Sequence, residues 1–191
     1  MHRRPLAGLA LAGALLLGAC ADADSTSLLA PEAPSETRAP APGADPIAAI
    51  AIGAGFDELV GALVYVDQEL DAGLVNLFLE GTDQFTVFAP TDEAFEGLYG
   101  FLGIEEITDL PPELVLDVLL YHVAEGRRAA NSVVPRVGTR TIETLLGKTF
   151  TVNTKGEITD LFGQTANIVA PNISASNGII HVIDTVILPL N

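Results

Sequence analysis

The sequence has no tryptophan, one methionine and one cysteine in 191 residues. A lone cysteine, Cys20, rules out an internal disulfide, so an apolar core has to hold any fold together. Histidine is nearly as scarce, with three in the whole chain. None stands in a spacing such as HExxH that would put two ligands on one helix face, so no metal site is expected. Basic residues are few, with nine Lys and Arg against 25 Asp and Glu, a formal charge of −16. Such a surface is repelled by phosphate backbones and anionic headgroups, which excludes nucleic acid as a partner. Long apolar runs are also missing beyond a single one, Leu6 to Leu17.

That run has a recognisable setting. Arg3 and Arg4 precede it, and Leu17-Gly18-Ala19-Cys20 closes it. A basic start, an apolar stretch and small residues before a cut describe an export signal. The final four residues resemble a lipobox, cut before a cysteine that carries a diacylglyceryl group. The expectation is a signal peptide over 1–19 and a lipid anchor on Cys20. The competing readings are a short membrane span, an ordinary signal cut nearby and a free thiol. Removing the signal removes two basic residues and no acidic one, leaving seven against 25. Residues 20–46, rich in Ala, Pro, Ser and acid, have no helical or strand period and read as a disordered tether.

Residues 47–191 have the length of one domain. Phe56, Leu59, Val60, Leu63 and Val64 recur at three- and four-residue steps and predict a helix. Leu70, Leu74, Leu77 and Phe78 predict a shorter one ending near Gly81. Phe85 to Phe88 are β-formers; Pro90 stops the strand, Thr91 can cap a helix, and Asp92 and Glu93 suit its first turn. A further helix follows Pro111 and Pro112, with Leu114, Val115, Val118, Leu119 and His122 on one side. The last third reads as strands: Thr149–Asn153, Asn167–Ala170, and a hairpin at Asn177-Gly178, whose residues tolerate positive φ. After the turn, Ile180, Val182, Val186 and Leu188 share one face and Ile179, Ile183 and Ile187 the other. Two apolar faces predict a central strand covered on both sides. Helices first and strands later indicate an α+β fold.

Candidate chemistry is sparse. His122 at the end of an apolar helix face and His181 among isoleucines read as buried, hydrogen-bonded side chains, with a pH-sensitive switch as the functional alternative. A His181, Asp184 and Ser132 triad is disfavoured, because residues three apart in a strand face opposite ways. Asp184 is expected to bond backbone amides near a turn. Asp67, Glu69 and Asp71 alternate but lack the frame of a calcium loop. Asn172-Ile173-Ser174 matches a glycosylation sequon, read as a hairpin segment.

Three segments together resemble one family. Phe85-Thr86-Val87-Phe88-Ala89-Pro90-Thr91-Asp92-Glu93-Ala94-Phe95 is similar to the first signature box of fasciclin (FAS1) domains. Tyr121-His122-Val123 resembles the element between the boxes. Ala175 through Asn177, Gly178, His181, Val182 and Asp184 resembles the second box, completed by Thr185 to Pro189. The resemblance spans 47–190 and is of the single-domain bacterial lipoprotein type. It implies a wedge-shaped β-sandwich with helices packed against it, helices mainly in the N-terminal half. It also implies a non-catalytic adhesion or binding module with no cofactor, lipid-anchored outside the cytoplasm. Its partner would be a surface protein, a polysaccharide or a neighbouring cell, besides the membrane that holds the lipid. The alternative is a carrier of a small apolar ligand in a cleft between helices and sheet.

Overall fold

The computed structural model describes residues 42–190. Cys20 and the expected signal and most of the tether lie outside them. No helix among the described residues is long and apolar enough to cross a membrane.

The N-terminal half is helical. Helix α1 (Ile47–Ala54) is stopped by Gly55 at φ 77, a left-handed position that glycine takes without strain. Helix α2 (Asp57–Leu70) opens with Asp57 and Glu58, whose charge suits the positive helix end, and buries Leu59, Ala62, Leu63 and Val66. Helix α3 (Leu74–Glu80) follows. The run predicted as one short helix from Leu70 is therefore divided, Leu70 ending α2 and Leu74 opening α3. Asp67 marks the division: its carboxylate accepts the N–H groups of Leu74 and Val75, both at 2.8 Å. This carboxylate caps a helix start.

Strand β1 (Phe85–Pro90) is buried throughout. Thr91 then caps helix α4 (Asp92–Leu102), its hydroxyl accepting from Ala94 N–H at 3.3 Å. Helix α5 (Pro112–Tyr121) begins with a proline at its first turn, where no N–H is needed. Strand β2 (Val123–Glu125), the single turn α6 (Ala130–Val133), and strands β3 (Thr139–Glu143), β4 (Thr149–Asn153), β5 (Glu157–Thr159), β6 (Thr165–Ala175) and β7 (Gly178–Ile183) complete the chain.

The strands run in the order β2-β1-β7-β6-β5-β4-β3. All neighbours are antiparallel except β1 and β7, which pair in parallel with Phe88 opposite His181. Phe88 and Phe150 pack edge to face with ring centroids 5.0 Å apart. Their strands β1 and β4 are four steps apart in the order, roughly 19 Å if the sheet were flat. The sheet therefore folds over on itself. Strand β6 makes the fold possible: it pairs with β5 at one end and β7 at the other, and its register shifts between Ile168 and Ile173.

Two cores result. One lies between the halves of the folded sheet and includes Phe88, Tyr121, Ile142, Phe150, Ile158, Ile183 and Ile187. The other lies between the helices and β1/β7, with Phe85, Val87, Ala89, Ile180, Val182, Val186 and Leu188 facing α1 to α5. Alternate residues of β1 and β7 enter opposite cores, as a period of two demands. Strand β7 is buried along its whole length between β1 and β6.

The hairpin differs from expectation in its turn. Ala175 pairs with Gly178, so Ser176 and Asn177 form the turn. Neither Asn177 nor Gly178 has positive φ. Gly178 answers a different constraint: a Cβ there would stand 2.2 Å from the backbone oxygen of Phe85. Close approach of β1, a tertiary contact, decides the residue instead of turn geometry.

Candidate functional site

The motif residues singled out from the sequence lie on β1 and β7, at the start of α4, at the end of α5 and in the segments next to these elements. Most are tied into the fold. Thr86 is buried; its hydroxyl donates to Gly126 O at 2.6 Å and accepts from Arg128 N–H at 2.9 Å. Asp92 accepts Glu58 N–H at 3.1 Å, joining α4 to α2. Phe95 and Val182 are buried among helices. Tyr121 is fully buried and its hydroxyl donates to Thr149 O at 2.9 Å; burial pushes its pKa up to about 12.

Asn177 is 3% exposed. Its carbonyl oxygen accepts Ile47 N–H at 2.8 Å and its amide donates to Phe78 O at 3.0 Å. One turn residue thus satisfies an orphan donor at the start of α1 and an orphan acceptor near the end of α3. Gln84, Ser176 and Arg127 extend the same junction. The Gln84 amide donates to Ser176 O at 3.1 Å, and the Arg127 guanidinium donates to Gly178 O, to Ser174 Oγ and to Ala175 O.

Both buried histidines are held the same way, between one backbone carbonyl and one backbone amide. His122 donates from Nδ1 to Val118 O at 2.7 Å and accepts Ile187 N–H on Nε2 at 3.2 Å. His181 donates from Nε2 to Arg128 O at 2.9 Å and accepts Asn172 N–H on Nδ1 at 3.3 Å. Each contact pattern requires the neutral ring, since a protonated imidazole has no acceptor to offer. Burial lowers the His122 pKa to about 4, against a smaller upward pull from the Val118 carbonyl. Burial likewise lowers His181. With every ring nitrogen occupied by backbone, neither histidine is placed to act as a general base.

Asp184 lies just past β7 and is exposed. It accepts the Asn167 backbone N–H at 2.7 Å and the Asn167 side-chain amide at 2.9 Å. Burial would raise its pKa, but these bonds and that from the Thr185 hydroxyl outweigh it and hold the carboxyl below its ordinary range. His181 and Asp184 therefore have separate partners, and no triad with Ser132 forms. Asn172, the sequon asparagine, has φ 67 in the irregular part of β6, and its side chain accepts Ala130 N–H at 2.8 Å. Among the described residues no group of three or more His, Cys, Asp or Glu is arranged to hold a metal.

Openings among the described residues include one of about 290 Å³ lined by Glu125, Arg128, Glu143 and Thr144, and three others. An apolar cleft of about 80 Å³ lies between α2, α4, α5 and the C-terminal tail, lined by residues including Leu59, Phe95, Leu98, Leu119 and Leu188. A second of about 30 Å³ lies among α1, α2, α3 and β1. A third of about 190 Å³ is mixed in character, with Glu93, Gln164, Asp184 and Thr185 beside Ala94, Leu98, Phe101 and Val186. Sequence patterning did not flag Phe101 or Gln164. Phe101 is 61% exposed and Phe162 46%, their rings meeting edge to face at 5.8 Å.

The family model for the fasciclin domain matches residues 56–189. The chain belongs to the fasciclin domain family. Among its relatives, the Transforming growth factor-beta-induced protein ig-h3 of Sus scrofa is 32% identical over 115 residues, 60% of this chain and 16% of that protein. Immunogenic protein MPB70 of Mycobacterium bovis is 36% identical over 106 residues, 56% of this chain and 50% of that protein. Cell surface glycolipoprotein MPB83 of the same species is 32% identical over 119 residues, 62% and 49% of the two chains. The fasciclin domain thus spans about half the length of these mycobacterial relatives and a small part of the porcine one.

Proposed function

We propose that this fasciclin protein is a non-catalytic adhesion or binding module of the cell envelope, held by lipid on Cys20 and spaced from the membrane by residues 20–46. The observation that carries the non-catalytic reading is the occupancy of the two buried histidines by backbone groups. The motif residues serve packing and strand junctions, leaving the outer surface for recognition. The anchor reading is supported by the lipobox-like Leu17-Gly18-Ala19-Cys20 and by a relative named as a cell surface glycolipoprotein. The partner is a surface protein, a polysaccharide or a neighbouring cell.

A carrier of a small apolar ligand is the second reading, favoured by the lining of the cleft beside Leu188, which is apolar but for His122. Its volume of about 80 Å³ is well under the roughly 300 Å³ at which clefts begin to bury drug-sized ligands. Size therefore favours the binding module.

The test is attachment. A strain lacking the gene is complemented with wild type or Cys20→Ser, and adhesion to surfaces and to other cells is scored. Restoration by the wild type alone, with the Cys20→Ser protein lost from the membrane fraction, is expected. Adhesion unchanged in every strain overturns the adhesion reading, and unchanged membrane fractionation overturns the anchor.

A further inference from the structure

Residues 42–46 fall within the tether expected from composition, yet residues 43–45 lie against the end of β6 and are part of the fold. Gly43 N–H donates to Ala175 O at 3.2 Å, and Ser176 N–H donates to Asp45 O at 2.8 Å. Two residues further on, Ile47 N–H donates to Asn177 Oδ1 at 2.8 Å. Three alternate residues of the incoming chain thus meet three successive residues at the β6–β7 turn. Gly43 is fitted to this contact: a Cβ there would stand 2.2 Å from Ser174 O and 2.9 Å from its carbonyl carbon. The absence of a side chain lets the two backbones come this close.

The receiving segment is itself braced from other parts of the chain. Ala175 O also accepts from the Arg127 guanidinium at 2.9 Å, which reaches Ser174 Oγ and Gly178 O as well. Ser176 O accepts from the Gln84 side-chain amide at 3.1 Å, and Asn177 O accepts Phe85 N–H at 3.1 Å. Asn177 Nδ2 donates to Phe78 O at 3.0 Å. The end of α3, the start of β1 and the loop after β2 therefore share any pull on residues 175–177. Helix α1 is different. Its eight residues are held by bonds between successive turns along the axis, which a pull on the N-terminal end breaks one at a time. The contacts of Gly43 and Asp45 lie upstream of that end.

We propose that the contact of residues 43–47 with Ala175, Ser176 and Asn177 is a load-bearing clamp, which passes tension arriving along the lipid-anchored tether into the β6–β7 hairpin before it reaches α1. A module bound to a partner and tied to a membrane by a flexible tether is pulled whenever the two surfaces move apart. Under force, survival is set by the rate at which the loaded contacts open, not by overall stability. Here two backbone bonds and one side-chain bond, backed by a strand β7 buried along its length, stand between the tether and the helix. This inference rests on the anchored-module reading and says how that module bears force.

The test pulls on single molecules of the mature chain, residues 20–191, made without its signal. One handle is the sole cysteine, Cys20; the other is Val137→Cys, at a position 87% exposed. At one fixed force, Gly43→Val is expected to unfold roughly tenfold faster or more than wild type when pulled from Cys20. Pulled instead from Ile52→Cys in a Cys20→Ser background, a point within α1 and beyond the clamp, the two should unfold at the same rate. Equal rates from Cys20 overturn the proposal. So does an equal acceleration from both handles, which is general destabilisation. Hydrogen exchange on the wild type needs no variant: the amides of Gly43 and Ser176 should exchange far more slowly than in an unstructured peptide. Exchange at the peptide rate overturns the clamp. All of these measurements use purified protein, so they stand or fall separately from the fractionation and attachment tests of the anchored module.

Discussion

His122 accepts the backbone N–H of Ile187 across 65 residues of sequence, at 3.2 Å. The contact latches the end of α5 to a C-terminal segment that has left the sheet. Two more side chains hold the same segment. Asp160 accepts Leu188 N–H at 2.8 Å, and Lys148 donates to Pro189 O at 2.7 Å. Val186, Ile187 and Leu188 are all buried beneath this latch. In the cleft walls that His122 shares, no other residue is titratable.

This latch makes stability depend on pH. The His122 pKa is about 4 when folded and 6.5 as an ordinary histidine. A depressed histidine favours the neutral ring, so its contribution is complete above pH 6.5 and is lost as pH falls toward 4. The full loss is about 3 kcal/mol. Urea midpoints measured from pH 7.5 to 4 should fall with acid, and hydrogen exchange at Ile187 should speed up. His122→Gln should flatten part of that slope, the remainder coming from His181 and from carboxylates. A slope identical to wild type would show that His122 does not titrate between the two pH values.

Asn177→Ala removes the acceptor for Ile47 N–H and the donor to Phe78 O. Both partners are then left unsatisfied, at roughly 1–3 kcal/mol each. The expected outcome is a domain destabilised by at least about 2 kcal/mol, read from the urea midpoint. Asn177→Asp should restore the acceptor but not the donor and fall between. Wild-type stability in Asn177→Ala would mean that solvent replaces both contacts.

Gly178→Ala places a methyl group 2.2 Å from the Phe85 carbonyl oxygen and 2.7 Å from Ile47 Cδ1. The side chain of Ile47 can move but the backbone of β1 cannot move without breaking its parallel pairing to β7. The variant should lose soluble folded protein or melt far below wild type by circular dichroism. Ala at Gly100, where nothing lies within 4 Å of an added Cβ, should be tolerated and serves as the control.

Phe88→Ala empties the contact between the two halves of the folded sheet, where Phe88 meets Phe150 at 5.0 Å. Removing a buried phenylalanine costs about 3–5 kcal/mol. Calorimetric melting should show that loss. Phe88→Leu, which keeps most of the volume, should cost less.

Periodicity located α2, α5 and the alternating faces of β7, because each carries a hydrophobic repeat matched to its own geometry, while β-forming residues, Pro90 and the Thr91 cap marked β1, β4 and α4. Helix α1 escaped this reading: Ile47–Ala54 is apolar almost all round, so it has no period to detect. Helix α6 is a single turn of four residues, too short for any pattern. The extent of β6 was also hidden. Its eleven residues alternate poorly, because the strand serves two half-sheets and shifts register between them.

The candidate sites divide along the same line. The sequence by itself determined that the motif residues exist as two apolar, turn-bounded segments, that the charge is strongly acidic, and that no chemical cluster has the spacing of a metal or nucleophile site. Only the tertiary structure decided what those residues do. It tied each histidine to a backbone carbonyl and a backbone amide, and made Asn177 the joint between α1 and α3. It also brought Phe101, Gln164 and Asp184 to one opening from parts of the chain about 60 and 20 residues apart. The physical reason is range. Propensity, capping and periodicity act within a few residues, so they write themselves into the local sequence. Partners set by a parallel strand pairing and a folded sheet are chosen by contacts across the chain, and no local pattern records them.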